Sequence, residues 1–385
     1  MTTGAVGTAT YGAAVSEHPD PAHAVAEAAG AVLDRVGPGA DVAFVFVTGP
    51  HVEAMGDIAA AVQAILRPAT MVGTTAVSVI GGPTEVEDVP GVSVWAGHVG
   101  AAEAVRLEVV STPDGTAVVG MPDEAAVGRR TLVLLTEPFS FPTEAFVRAS
   151  NEQYPQLTVV GGMASAGGPG ANRLVVQGEM HLDGAVGVLL PEGFDVVAVV
   201  SQGCRPVGEP FIVTGAEQSL VTELGSRPAM ERLRALIDDA GEEDRELLSR
   251  GLHVGLVVDE TRDEFDRGDF LIRGVLGADP ERGAIRIGDQ PVVGTTLQFH
   301  VRDAASADRD LHELLAPVDA DAALVFTCNG RGTHLFGEPD HDASAVHEVV
   351  NGGAVAGMFC AGEVGPIRAE NHVHGFTASV LFFYG

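Results

Sequence analysis

The sequence predicts an α+β fold of layered, mixed and antiparallel sheets with flanking helices, arranged as strand–helix–strand–strand pseudo-repeats in two packed domains. Three observations predict it. Strand-like segments mix alternating with continuous apolar runs, as expected of sheets covered on at least one face. The helical segments are few and amphipathic. The order strand, helix or irregular segment, strand, strand recurs four times along the 385 residues.

The first unit reads VAFVFVT, a helix over Val52 to Leu66, MVGTTAVSVIGG and VSVWAGHV, and an amphipathic helix over Ala22 to Val36 precedes it. The second reads TLVLLTE, a helix over Thr143 to Gln153, LTVVGGMASAGG and AVGVLLP. The third reads HVGLVVDE, DFLIRGVLGAD, IRIGD and TLQFHVRD, with no helix between its strands. The fourth reads AALVFTCNG, a helix over Ala343 to Val350, AVAGMFCAGEVGP and GFTASVLFFYG. Units one, two and four place a glycine at the matching point after the helix: Gly73, Gly161 and Gly357. Short links such as Pro83 to Gly91 predict antiparallel neighbours. Met230 to Ile237 alternates apolar and charged residues at helical spacing. Asp238 to Arg250 and Ala304 to Asp310 read as solvated connectors, and Gly167 to Asn172 as a hairpin turn. A domain break is expected near Thr214 to Glu217.

Composition narrows the function. The formal charge is −31, with 53 acidic against 22 basic residues. No basic stripe is available for nucleic acid or anionic membranes. All the basic residues are arginine, which excludes lysine Schiff bases and the Walker lysine. Any anion must be held by arginine, backbone amides or a helix N-terminus. No apolar run is long enough to span a bilayer. The opening residues, MTTGAVGTATYG, lack the form of a secretory signal. Three widely spaced cysteines fit no disulfide framework, so a reducing cytoplasm is the expected location.

The densest chemistry lies in the last sixty or so residues, in CNGRG (Cys328 to Gly332), FGEPDHD (Phe336 to Asp342), GMFCAGEVGP (Gly357 to Pro366) and NHVHGFT (Asn371 to Thr377). Glycines there let backbone approach a ligand. The turn amides from Asn329 through Gly330 to Gly332, with Arg331 beside them, form a candidate anion nest. His341 lies between the carboxylates of Asp340 and Asp342 and is a candidate hydrogen-bonding group or base; Asp342 also suits a helix N-cap. Cys328 and Cys360 are expected as neighbouring thiols, and Glu363 as a partner for a ligand amine. Cys204 beside Arg205 would have a lowered thiol pKa if the two face each other. His372 and His374 share a strand face but have no companions for a metal site, so no metal is expected.

These segments, with VAFVFVTGPH, MVGTTAVSVIGG and VSVWAG upstream, SQGCRPVGEPFIVT (Ser201 to Thr214) and LGSRPAMERL (Leu224 to Leu233), resemble the FIST family, named for F-box and intracellular signal transduction. The resemblance implies a FIST N-terminal domain over residues 1–214 and a FIST C-terminal domain over 215–385. It also implies an intracellular sensory role: binding of a small ligand, an amino acid or related metabolite, in a cleft, with output through a separate signalling protein. Cys204, Arg205, Cys328, Asn329, Gly330, Arg331, Asp340, His341, Cys360, Glu363, Asn371 and His374 are the expected ligand-binding residues. An enzyme with His341 as general base and the Asn329–Gly332 amides as anion site is the alternative. A haem-based gas sensor, following relatives that bind haem, and a protein-interaction module are further readings; no cofactor is expected.

Overall fold

The structure is a computed structural model that describes residues 10–385 except 114 and 263. Residues 1–9, where no secretory signal is read, lie outside the described residues. The chain forms two compact units that do not follow chain order. Of the described residues, the first holds 10–200, 312–373 and 377–385, and the second holds 201–311 and 374–376. The expected fold class, α+β with mixed and antiparallel sheets, is the one observed.

In chain order the first unit opens with β1 (Tyr11–Ser16), α1 (Pro21–Val36), β2 (Val42–Thr48), α2 (Met55–Leu66) and β3 (Thr70–Ala76), with a 3₁₀ turn over Gly49–Ala54. A hairpin of β4 (Val79–Gly81) and β5 (Thr84–Val86) follows, then β6 (Val92–Gly97), β7 (Glu103–Thr112) and β8 (Gly115–Val119). The second repeat comprises α3 (Glu124–Val127), β9 (Thr131–Thr136), α4 (Thr143–Gln153), β10 (Thr158–Met163), the hairpin β11 (Leu174–Val176) and β12 (Glu179–His181), β13 (Ala185–Leu189) and β14 (Val196–Gln202).

The second compact unit is built from β15 (Cys204–Glu217), β16 (Leu220–Leu224), β17 (Arg227–Pro228), α5 (Ala229–Asp239), α6 (Glu242–Arg250), β18 (Leu252–Val257), β19 (Phe270–Asp279), β20 (Ala284–Ile287) and β21 (Thr296–Arg302). Its strands form one antiparallel sheet in the order β15-β21-β18-β19-β20-β16-β17. Among the described residues no helix intervenes between β18 and β21 beyond a 3₁₀ turn at Arg267–Asp269, in line with the sequence reading. Val213, Val254, Ile285, Leu297 and Phe299 fill its core.

The chain continues through α7 (Ala304–Leu315), β22 (Ala320–Cys328), α8 (Thr333–Phe336), α9 (His341–Glu348), β23 (Val350–Cys360), the hairpin β24 (Glu363–Ile367) and β25 (Glu370–His374), and β26 (Thr377–Phe383). Two expected connectors are therefore partly helical. Glu242–Arg250 is α6, and Ala304 opens α7, whose Ala307, Leu311 and Leu315 are buried at helical spacing.

Three of the four repeats share one construction in the first unit. A strand, a helix and a second strand form a parallel pair: β2 with β3, β9 with β10, and β22 with β23. The next two strands form a hairpin that leaves its own sheet. β4–β5 adds to β23, β11–β12 adds to β3, and β24 pairs β10. The fifth strand returns antiparallel to the first: β6 to β2, β13 to β9 and β26 to β22. Each repeat thus gives its hairpin to another repeat, and the exchange closes in a ring of three. The expected hairpin turn at Gly167–Asn172 is instead part of such a crossing, because β10 and β11 lie in different sheets.

The repeated glycine has a physical reason. Gly73, Gly161 and Gly357 stand in register opposite Val45, Leu134 and Val325 on the parallel partner strand. A Cβ at each would run into the backbone carbonyl oxygen of that partner. The main core, which includes Phe44, Trp95, Val133, Val188, Phe326, Leu381 and Phe383, joins side chains of all three repeats.

Candidate functional site

The exchange places the ends of β22 and β23 against the β4–β5 hairpin. β22 stops at Cys328 because Asn329-Gly330-Arg331-Gly332 turns the chain. Gly332 has φ of 57°, and a side chain there would strike the Glu87 carboxylate. Glu87 in turn accepts from the Thr333 amide at 3.1 Å and the Thr333 hydroxyl at 2.8 Å.

The turn drives Arg331 inward, where it is fully buried. Its Nε and Nη2 donate to Asp342 Oδ2 and Oδ1 at 2.7 and 2.8 Å, a two-pronged pair with no exposure on either side chain. Thr327 Oγ1 donates to Asp342 at 2.6 Å, and His341 Nδ1 lies 3.0 Å from Asp342 Oδ1. Burial would raise the Asp342 carboxyl, but Arg331 and these hydrogen bonds outweigh it and hold the group well below its usual range. Asp342 is therefore not the N-cap of α9. That position belongs to Asp340, whose φ is 67° and whose carboxylate accepts from the Glu85 amide at 2.6 Å.

Glu85, on β5, covers the start of α9: its Oε1 accepts from the amides of Asp342 and Ala343, both at 3.0 Å. The helix terminus favours its anion, yet burial and the nearby Asp342 charge prevail and push Glu85 up to about 8. Glu363, at the start of β24, is fully buried and also pushed up to about 8, mainly by burial. Its Oε2 accepts from the Thr377 amide at 3.1 Å and hydroxyl at 2.7 Å. Arg331 and Cys328 both act on its titration, so the three share one neighbourhood. Cys328 and Cys360 are opposite each other in the β22–β23 register, and neither is joined in a disulfide. Burial and the neighbouring Glu363 hold the Cys360 thiol well above its ordinary value.

Three buried polar atoms in this cluster have no hydrogen-bond partner: Arg331 Nη1, Glu363 Oε1 and Glu85 Oε2. Above this floor, Asn329 is exposed, while Gly330, Phe336, Asp340 and His341 are half-buried. The His341 ring stacks on Phe336 with centroids 3.4 Å apart, and Arg331 lies 5.2 Å from the same ring. The turn amides do not form an open nest: Asn329 N donates to Cys360 O at 2.9 Å and Arg331 N to Cys328 O at 2.8 Å.

A carboxylate-rich floor around one buried guanidinium, closed by an exchanged hairpin, places residues from both ends of the chain at one site. The family comparison spans the stretch from Glu85 to Glu363. The FIST N domain model matches residues 41–227 and the FIST C domain model matches residues 229–366. The chain belongs to the FIST family. FIST domains are sensory domains of signal transduction. The chain is also similar to an uncharacterized protein of Mycobacterium tuberculosis strain H37Rv, 43% identical over 380 residues, covering 97% of this chain and 99% of that one. A protein of Mycobacterium bovis strain AF2122/97 is 42% identical over 380 residues, covering 97% and 98%.

The other expected residues of this FIST chain make contacts of their own. Asn371 on β25 is spent on structure: it exchanges hydrogen bonds with Asn151 and joins Val159 N and Leu157 O. His374 is buried and belongs to the second unit. So do Cys204, buried in an apolar cluster with Phe270 and Ile272, and Arg205, which binds Asp244 at 2.6 Å and Asp303 at 2.7 Å. Burial works against the Arg205 charge, but the two carboxylates outweigh it and raise its pKa. Glu85 and Thr377 were not foreseen as site residues. Glu85 lies more than 200 residues from Arg331, and only the hairpin exchange brings it near. Among the described residues no helix is long and apolar enough to cross a membrane.

Proposed function

We propose that this FIST protein is a sensor that binds a small polar metabolite of amino-acid type at the Arg331–Asp342–Glu363 cluster. The observation that carries the reading is the set of unpartnered buried atoms, Arg331 Nη1, Glu363 Oε1 and Glu85 Oε2. Buried polar groups are almost always satisfied, and the cost of leaving three open is large. A ligand carboxylate would satisfy Arg331 Nη1, and a ligand ammonium would satisfy Glu363. Asn329, Phe336, Asp340 and His341 would form the mouth. The signal would leave through a separate protein, in the intracellular setting implied by family membership.

The enzyme reading has less support, because the amides of Asn329 and Arg331 already serve backbone hydrogen bonds and His341 is committed to Asp342. A thermal-shift screen of amino acids and related metabolites tests the proposal. A sensor gains stability by about RT ln(1 + [L]/Kd) and leaves its ligand unchanged. Stabilisation with turnover would favour the enzyme; no stabilisation by any of them would remove the amino-acid assignment.

A further inference from the structure

We propose that His18, Asp20 and His23 form a solvent-facing site for one divalent transition-metal ion of the zinc class, at the junction of β1 and α1. Each side chain offers a ligand atom, and these atoms all lie within 4.8 Å of one another. Two imidazoles and a carboxylate are a borderline-soft donor set with open positions for water.

The chain holds this geometry before any ion arrives. His18 and Asp20 are each followed by a proline, Pro19 and Pro21, whose rings fix φ through the segment HPDPAH. The buried His51 donates from Nε2 to the His18 carbonyl at 3.0 Å and anchors that backbone. Asp20 caps α1, and its Oδ1 accepts from the His23 amide at 3.0 Å. The two imidazole rings stack with centroids 4.8 Å apart and planes at 26°. His23 Nδ1 lies 2.8 Å from Asp20 Oδ1, and His18 Nδ1 accepts from the Asp20 amide at 3.0 Å. An ion bound by this trio would take the place of the proton between His23 and Asp20. The N-terminal end of a helix opposes a cation, but the charge of −31 over the whole chain favours one.

The site is exposed, so its variants should fold, and it is separate from the Arg331 cluster. The test is calorimetric titration of the full-length, EDTA-stripped protein with zinc chloride, alongside His18→Ala, His23→Ala and the surface control His98→Ala. The expected result is one saturable zinc per chain in the wild type and in His98→Ala, weakened about tenfold or more in both His18→Ala and His23→Ala. Without zinc, all four should unfold at the same temperature. No saturable zinc binding, or undiminished binding in either site variant, would overturn the proposal.

Discussion

Arg331 and Asp342 form a bidentate ion pair at 2.7 and 2.8 Å with neither side chain exposed, eleven residues apart, joining the turn after β22 to the first turn of α9. A buried pair of this kind is costly to break, because the survivor is left charged without a partner. Asp342→Ala should therefore cost about 3–5 kcal/mol of stability, whereas Arg331→Met/Asp342→Leu should cost far less than the sum of the single changes. Chemical denaturation of the two single variants and the double variant measures this. Additive losses would show that the pair is not the unit of stability described.

Glu85 and Glu363 make the first compact unit sensitive to alkali. Their folded values, about 8, stand above the ordinary 4.5. Between those values the unfolded chain binds fewer protons than the folded one, so their contribution is complete below about pH 4.5 and is lost as pH rises through 8. Unfolding temperature should fall from pH 6 to pH 9, and Glu363→Gln should flatten that slope. An unchanged slope in Glu363→Gln would refute the assignment.

The second unit should respond in the opposite sense. His253 and His300 face each other across β18 and β21, are both buried, and are both pushed down to about 4, chiefly by burial. Their folded values lie below the ordinary 6.5, so stability is present above 6.5 and lost as pH falls toward 4. Proton-exchange protection of β18 and β21 between pH 7 and pH 4.5 reads this directly. Protection that holds steady across that range would contradict it.

Much of this architecture was legible in the sequence. The repeated order and the three matching glycines identified the strand–helix–strand units, because a period of secondary structure and a steric need are both local. The ring of exchanged hairpins was not legible: β4, β11 and β24 are short apolar strands whose partners are chosen only when three sheets close together. For the same reason Arg331, Asp340, His341, Cys360 and Glu363 were recognisable as polar residues among glycines, while Glu85 was not. Asp342 looked like a cap because it precedes an apolar helical run, and only the burial of Arg331 shows that its carboxylate is committed elsewhere. The helix α7 did carry a readable signal, in Ala307, Leu311 and Leu315.

The glycine in register on each second strand should resist substitution. Gly357→Ala would drive a methyl into the Val325 carbonyl, and Gly73→Ala into that of Val45. Each should cost about 1–3 kcal/mol or more, since backbone and not a flexible side chain must move. By contrast, Gly162→Ala meets the Cys360 sulfur, so Cys360→Ala should recover part of its loss. Thermal unfolding of these variants separates the cases; a neutral Gly357→Ala would contradict the packing described.

Ligand binding at Glu363 should release a proton. Its carboxyl is largely protonated at pH 7, and an ammonium placed beside it would favour the anion. Calorimetry in buffers of different ionisation enthalpy should show net proton release at pH 7 for a stabilising ligand, and none for Glu363→Gln. Proton uptake would place the ligand's charge elsewhere.

Native mass spectrometry of protein purified from its own host addresses the central claim most directly. The proposed sensor should carry a small, non-covalent metabolite in the wild type, with occupancy much reduced in Glu363→Gln while the fold is kept. A bound species retained equally in Glu363→Gln, or a wild-type protein that carries no metabolite and is stabilised by none of the screened amino acids, would contradict a ligand site at the Arg331–Asp342–Glu363 cluster.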